Sequence, residues 1–206
     1  VFVLTRNYDG LPRREFIDGV HVERIPVWGR GMVLASVSYL LQSLWWLIRH
    51  RHRYHLIHCH QSYAPALIGG LAKLLLNKPV VVKVSTADVF SERKELERLP
   101  LFPLRRFLLR RMDRLIAVNP SALDEFGDLG IPPERMIHIP NGVPIPSTSA
   151  DLPPVRLAAR QRLGLPDGKL AVFVGRISSE KNLEVLLAGW PTVLQCDPAA
   201  TLVLVG

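Results

Sequence analysis

Cysteine is almost missing from this 206-residue chain: Cys59 and Cys196 are the only two. So low a count supports neither a disulfide framework nor a cysteine-based metal site, and it favours a reducing compartment. Aromatic residues are also sparse, at 7%. No Gly-x-Gly-x-x-Gly fingerprint, no Gly-x4-Gly-Lys-Ser/Thr loop and no Gly-x-Ser-x-Gly elbow occurs, which removes the usual dinucleotide, triphosphate and serine-hydrolase signatures. What remains is ordinary: 48% hydrophobic and 21% charged residues exclude a disordered tail, a collagen-like repeat or a disulfide-stapled miniprotein.

The net charge is +8, and it is unevenly placed. Residues 1–142 carry 20 Lys/Arg against 13 Asp/Glu, whereas residues 143–206 carry 6 against 5. The first part is therefore the one expected to meet an anionic substrate or surface. Two clusters stand out: Arg49, Arg51 and Arg53 with intervening histidines, and Arg105, Arg106, Arg110, Arg111 and Arg114 in a helical run. Met32–Ile48 has 17 residues without a charge and includes Trp45 and Trp46. It is short for a bilayer span, and three readings stay open: a buried helix with a basic end, a helix lying on anionic lipid, or a span. No secretory signal opens the chain as given.

Short apolar runs alternate with helical patterns, which predicts a parallel sheet with helices on both faces. Strands are expected at Val1–Thr5, Val20–Val27, His55–Cys59, Val80–Val84, Leu115–Val118 and Met136–Ile139. Helices are expected at Val33–His52, Ala64–Leu76, Leu104–Asp113 and Ser121–Leu129. The first two strands, joined by a polar loop, suggest local antiparallel pairing or an edge excursion. Asn141–Pro154 has four prolines and reads as a linker. A helix at Val155–Leu163, a strand at Leu170–Val174, a helix at Asn182–Gln195 and a strand at Thr201–Val205 follow. The expected division is 1–142, a linker and short helix over 143–168, and the start of a second domain over 169–206.

Three motifs carry chemistry. Phe173 and Val174 end a strand read as buried, Gly175 permits a sharp turn, and Arg176 follows. Ser179 is the expected N-cap of a helix starting near Glu180, with Lys181 in its first turn. A helix N-terminus suits phosphate, and a cation there is poor helix design unless an anion arrives. His58 and His60 share one face at the end of a strand and point towards the ligand crevice of an α/β sheet; as a metal pair they lack a third ligand. Pro140-Asn141-Gly142 ends another strand in a turn. Gly69 and Gly70, inside a helical pattern, suit close packing.

In order and spacing these residues resemble the retaining GT-B glycosyltransferases of family 4, the group typified by sucrose synthases and phosphatidylinositol mannosyltransferases. Leu56–His60 resembles the strand ending in His-x-His, Pro79–Ser85 the next strand, and Asp113–Asn119 and Ile137–Val143 the segments leading to the hinge. Phe173–Arg176 with Glu180-Lys181 resembles the donor-diphosphate motif. The resemblance implies two facing Rossmann-like α/β domains and transfer of a sugar from a nucleotide-diphosphate sugar to an acceptor hydroxyl.

It further implies that Arg176 and Lys181 stabilise the departing diphosphate, with Gly175 and Asn141 beside the donor. His58, His60, Ser85 and Thr86 would line the acceptor side. The partners implied are a nucleotide sugar and a glycan, lipid or small-molecule acceptor, with no nucleic acid, no cofactor and no metal; the basic first part and Met32–Ile48 add an anionic membrane surface as an expected partner. The place implied is the cytoplasm, peripheral to the inner face of the membrane.

Retention in this family is attributed to front-face attack without a protein nucleophile. Three departures are visible. Ser85-Thr86-Ala87-Asp88 stands where many members have a histidine, and neither the Gly-rich loop nor the Glu-x7-Glu segment falls within these residues. The expectation is therefore a fragment, missing a first strand–helix unit and most of its second domain and a poor enzyme alone. A non-catalytic module of the same fold, or a membrane-attachment module, is the alternative.

Overall fold

Val80, Val82 and Val84 are fully buried on one face of a strand whose other face, Val81 and Lys83, is half-buried. This is β5 of a computed structural model that describes residues 1–8, 10–29, 31–86, 91–143 and 152–206, with the side chains of 152 and 153 excluded. The described residues form two compact units, Val1–Gly142 and Val143–Gly206.

In the first unit, β1 (Phe2–Arg6) pairs in parallel with β3 (Val20–Ile25), and β2 (Arg14–Ile17) pairs antiparallel on the other side of β3. The expected polar loop thus contains a strand. Asp18 and Gly19, both at positive φ, close the two-residue turn between Ile17 and Val20. Antiparallel pairing is present, but it joins β2 to β3 and not the two strands anticipated.

Helix α1 (Met32–Arg49) leads to β4 (Ile57–His60), α2 (Ala64–Leu76), β5 (Val80–Val84), α3 (Glu92–Arg98), α4 (Phe102–Leu109), β6 (Arg114–Ala117), α5 (Ser121–Gly127) and β7 (Met136–His138). Strands β4 to β7 form one parallel sheet in chain order. One apolar cluster, with Phe126, Leu96, Leu108, Leu109 and Leu115 at its centre, packs α2, α3, α4 and α5 on this sheet. A second joins Ile25, Trp46, Leu47, Ile68 and Ala72, fixing α1 against β3 and α2.

Gly69 and Gly70 let α2 come this close. A Cβ on Gly69 would lie 2.5 Å from Cys59 Sγ, and one on Gly70 would lie 2.8 Å from Leu108 Cβ. Burial pushes the Cys59 thiol up to about 12, so it packs as an apolar group.

Three side chains of the arginine run have partners in the fold. Arg105 donates to the carbonyls of Pro100 and Tyr63, Arg106 to that of Leu129, and Arg111 stacks 3.8 Å from the Phe107 ring centroid.

The second unit holds α6 (Leu152–Leu163), β8 (Leu170–Val174), α7 (Leu183–Cys196) and β9 (Thr201–Val205), with β8 and β9 parallel. Buried Arg160 ties α6 to the carbonyls of Pro166 and Gly168. The strand read as buried is open: Val172 and Val174 are 57% and 75% exposed. A two-stranded sheet with two helices has too little surface of its own to cover both faces. Of the expected linker, residues 144–151 lie outside the described residues, as do Ala87 and Asp88.

Candidate active site

The carboxyl edge of the parallel sheet gathers the side chains that the sequence singled out in the first unit. His58 and His60 alternate around buried Cys59 and are both exposed, their ring centroids 4.6 Å apart. His60 lies opposite Lys83 in the β4–β5 register, and Lys83 Nζ donates to Asn141 Oδ1 at 2.7 Å. Strand β4, strand β5 and the turn after β7 therefore meet through one imidazole pair, one ammonium and one amide.

Partial desolvation, although the side chain reaches solvent, and then the charges of His60 and Lys83 hold the His58 imidazole below its ordinary 6.5. That leaves it neutral at pH 7, able to accept a proton or a hydrogen bond. The next residue, Gln61, stands at φ 76° with its N–H on Lys83 O, a left-handed conformation that L-residues adopt reluctantly and that clusters at functional sites.

Sequence reasoning missed Lys83, hidden in the run Val-Val-Val-Lys-Val. It also missed Glu92, which is 1% exposed. One Glu92 oxygen accepts the N–H and hydroxyl of Ser85, and the other those of Ser62. Ser85 thus sits at the expected edge with its hydroxyl already committed to Glu92. Thr86 is exposed beside it, its carbonyl accepting the Glu92 N–H.

In the second unit the loop after β8 differs from its expected form. Ser179–Lys181 makes a single 3-10 turn, Asn182 follows at φ 51°, and α7 begins only at Leu183. Ser179 caps nothing, and Lys181 precedes the helix rather than occupying its first turn. The left-handed Asn182 breaks the hydrogen-bonding run before α7 can start. Gly175 anchors the loop with its N–H on Val205 O. Arg176, its side chain 80% exposed, pairs with Glu180 at 3.2 Å. Ser178 Oγ is buried without a hydrogen-bond partner.

Among the described residues no group of three or more His, Cys, Asp or Glu side chains is placed to hold a metal ion.

A parallel sheet presents polar side chains at its carboxyl edge and a second α/β unit carries a cationic loop after a strand; both units are Rossmann-like, and the GT-B type of the fold follows from the comparisons with known proteins. Residues 1–142 match the family model described as the glycosyl transferase 4-like domain, and the chain belongs to that family. It is 32% identical over 154 residues to the D-inositol 3-phosphate glycosyltransferase of Streptosporangium roseum, covering 71% of this chain and 34% of that protein.

It is 27% identical over 183 residues to the alpha-D-kanosaminyltransferase of Streptomyces kanamyceticus, covering 80% of this chain and 47% of the relative. The chain thus spans about half or less of the length of these curated relatives. Its fold is similar to that of Anabaena HepE in complex with UDP-glucose, with a TM-score of 0.64, 22% identity, 90% of this chain and 47% of the other covered.

Proposed function

We propose that this chain is part of a retaining glycosyltransferase. Its first unit receives an acceptor hydroxyl, and its second holds a nucleotide-diphosphate sugar. The observation that carries the reading is membership of the glycosyl transferase 4-like family over 1–142, joined to a fold shared with a UDP-glucose complex.

In this reading the bond between the anomeric carbon and the diphosphate oxygen breaks, and its electron pair leaves with the nucleoside diphosphate. The acceptor oxygen bonds to the anomeric carbon on the same face, and its proton passes to a phosphate oxygen. Arg176 and Lys181 neutralise the charge that builds on that oxygen, and preorganised cations there act on the transition state. Gly175 and Asn141 border the donor; His58, His60, Ser85 and Thr86 line the acceptor side. No metal or cofactor is required, and the reaction is placed in the cytoplasm.

The test is turnover of the full-length protein against a panel of nucleotide sugars. Lys181→Ala is expected to lower turnover by roughly 10²–10³. Unchanged turnover removes Lys181 from the mechanism, and inactivity of the wild-type protein on every donor favours a non-catalytic module.

One observation favours a second role, attachment to an anionic membrane surface. Among the described residues, α1 is the one helix long and apolar enough to cross a bilayer. Yet Gln42 Nε2 ties it to Pro26 O, and Trp46 and Leu47 pack it on the sheet. Met32, Val33, Leu34, Val37, Leu41 and Trp45 remain exposed, and Arg49, Arg51 and Arg53 follow. An apolar face ending in cations suits an interfacial helix on anionic lipid. Binding to phosphatidylglycerol vesicles should weaken with salt and with Leu41→Ser/Trp45→Ser; equal binding to neutral vesicles argues against it.

A further inference from the structure

The opposite, amino edge of the parallel sheet carries a concavity that the proposed reaction does not use. Here the chain enters β5 at Val80 and β6 at Arg114. A cavity of about 640 Å³ opens between them, lined by Lys73, Asn77, Arg111, Asp113, Arg114 and Arg135 among others. Four cations therefore surround one carboxylate.

That carboxylate is already engaged. Asp113 Oδ2 accepts Lys73 Nζ at 2.6 Å and the Val80 N–H at 2.7 Å. Burial alone would raise the Asp113 carboxyl, but these bonds and the charges of Lys73 and Arg135 outweigh it, so it is lowered and stays ionised.

The arginines are each steadied by one contact. Arg111 lies over the Phe107 ring, Arg114 Nη1 donates to Asp113 O at 2.8 Å, and Arg135 Nη1 donates to Arg110 O at 3.0 Å. Each guanidinium keeps further N–H groups for a ligand, in the fork geometry that matches phosphate oxygens.

We propose that this cavity binds a small ligand carrying two or more phosphate groups. With Lys73 already paired to Asp113, three guanidinium charges remain, more than the roughly two negative charges of one phosphate monoester, and the volume falls within the usual range for small-molecule sites. The same chemistry is offered by a soluble polyphosphate and by a polyphosphorylated lipid headgroup.

The test titrates inorganic tripolyphosphate into the protein at about 0.15 M salt, where weak surface pairing is screened. Saturable binding is expected, with amide shifts at Asn77, Arg114 and Arg135. The double variant Arg114→Gln/Arg135→Gln should weaken binding by roughly tenfold or more, as the loss of charge-assisted contacts requires. Arg14→Gln, an exposed cation of β2 outside the cavity lining, should leave affinity within about twofold.

Vesicles with phosphatidylinositol bisphosphate, compared with phosphatidylserine vesicles of equal charge, distinguish the sources. A preference for the former that the double variant abolishes assigns a lipid headgroup; tripolyphosphate binding without that preference assigns a soluble ligand. Absence of saturable binding overturns the proposal, as do shifts confined to His58, His60 and Lys83. The amide shifts are read on the unaltered protein, so the proposal stays testable if the double variant fails to fold.

Discussion

Ser85 gives both its backbone N–H and its hydroxyl to the same oxygen of Glu92, at 2.8 and 3.1 Å. The second oxygen takes the same pair from Ser62, at 2.8 and 3.0 Å. One buried carboxylate thereby fixes the loops leaving two neighbouring strands, on the side of the sheet where the acceptor is proposed to bind. Its charge also suits its place in the first turn of α3, behind the Ser91 N-cap.

Removing it strands the two buried donors of Ser62 and frees the two of Ser85, which can reach water. Glu92→Ala should lower unfolding stability by about 2–4 kcal/mol, since each buried donor left unpaired costs roughly 1–3 kcal/mol. Glu92→Gln should cost less, because the amide keeps the shape and one acceptor oxygen. Urea unfolding measures both, and a loss under about 1 kcal/mol for the alanine variant contradicts the arrangement.

The close approach of α2 makes a prediction of opposite character, since adding atoms should hurt. Alanine at position 70 gains helix propensity worth about 1 kcal/mol. Its Cβ, however, would meet Leu108 Cβ at 2.8 Å, and that atom sits at the rigid base of its side chain. Overpacking of this kind costs about 1–3 kcal/mol, so Gly70→Ala should destabilise on balance. Gly189→Ala has open space around its Cβ and should stabilise or be neutral. Thermal unfolding of the two variants side by side checks the sign of each.

How much of this was legible in the sequence depended on the kind of signal each element carries. Strand β5 and helix α2 were read to the residue because Val-Val-Val-Lys-Val and the apolar run after Pro65 leave little choice. Helix α3 was missed because Leu96 is its only buried apolar residue. Its signals were end signals, Ser91 as N-cap, Glu92 and Glu95 in the first turn and Arg98 in the last, rather than periodicity. Strand β2 was likewise marked only by its Asp18-Gly19 turn.

At the candidate site, side-chain alternation placed His58 and His60 correctly on one face. The partners Lys83 and Glu92 were invisible because they join segments far apart in the chain, Lys83 with Asn141 58 residues on and Ser62 with Glu92 30 residues on. The apolar pattern placed α7 within a residue, at Asn182–Gln195, but the capping argument started it early, near Glu180, because Asn182 adopts a left-handed conformation that no local pattern announces.

The His58 imidazole yields the most direct test of the electrostatics at the sheet edge. Partial desolvation is the largest influence lowering it from 6.5, followed by His60 and Lys83. A group whose folded value is depressed supports the fold above its unfolded value, and that support is lost as pH falls through the folded value. The loss should therefore begin below 6.5, and His58→Asn should flatten that part of the stability profile. In an NMR titration the His58 ring should report a midpoint below 6.5. Lys83→Met should raise that midpoint without restoring it fully, because the partial desolvation persists when one positive charge is removed. The same variant deletes the bond to Asn141 and should shift the Asn141 side-chain amide resonances. A His58 midpoint at or above 6.5, or one indifferent to Lys83→Met, contradicts the placement of these charges around the ring.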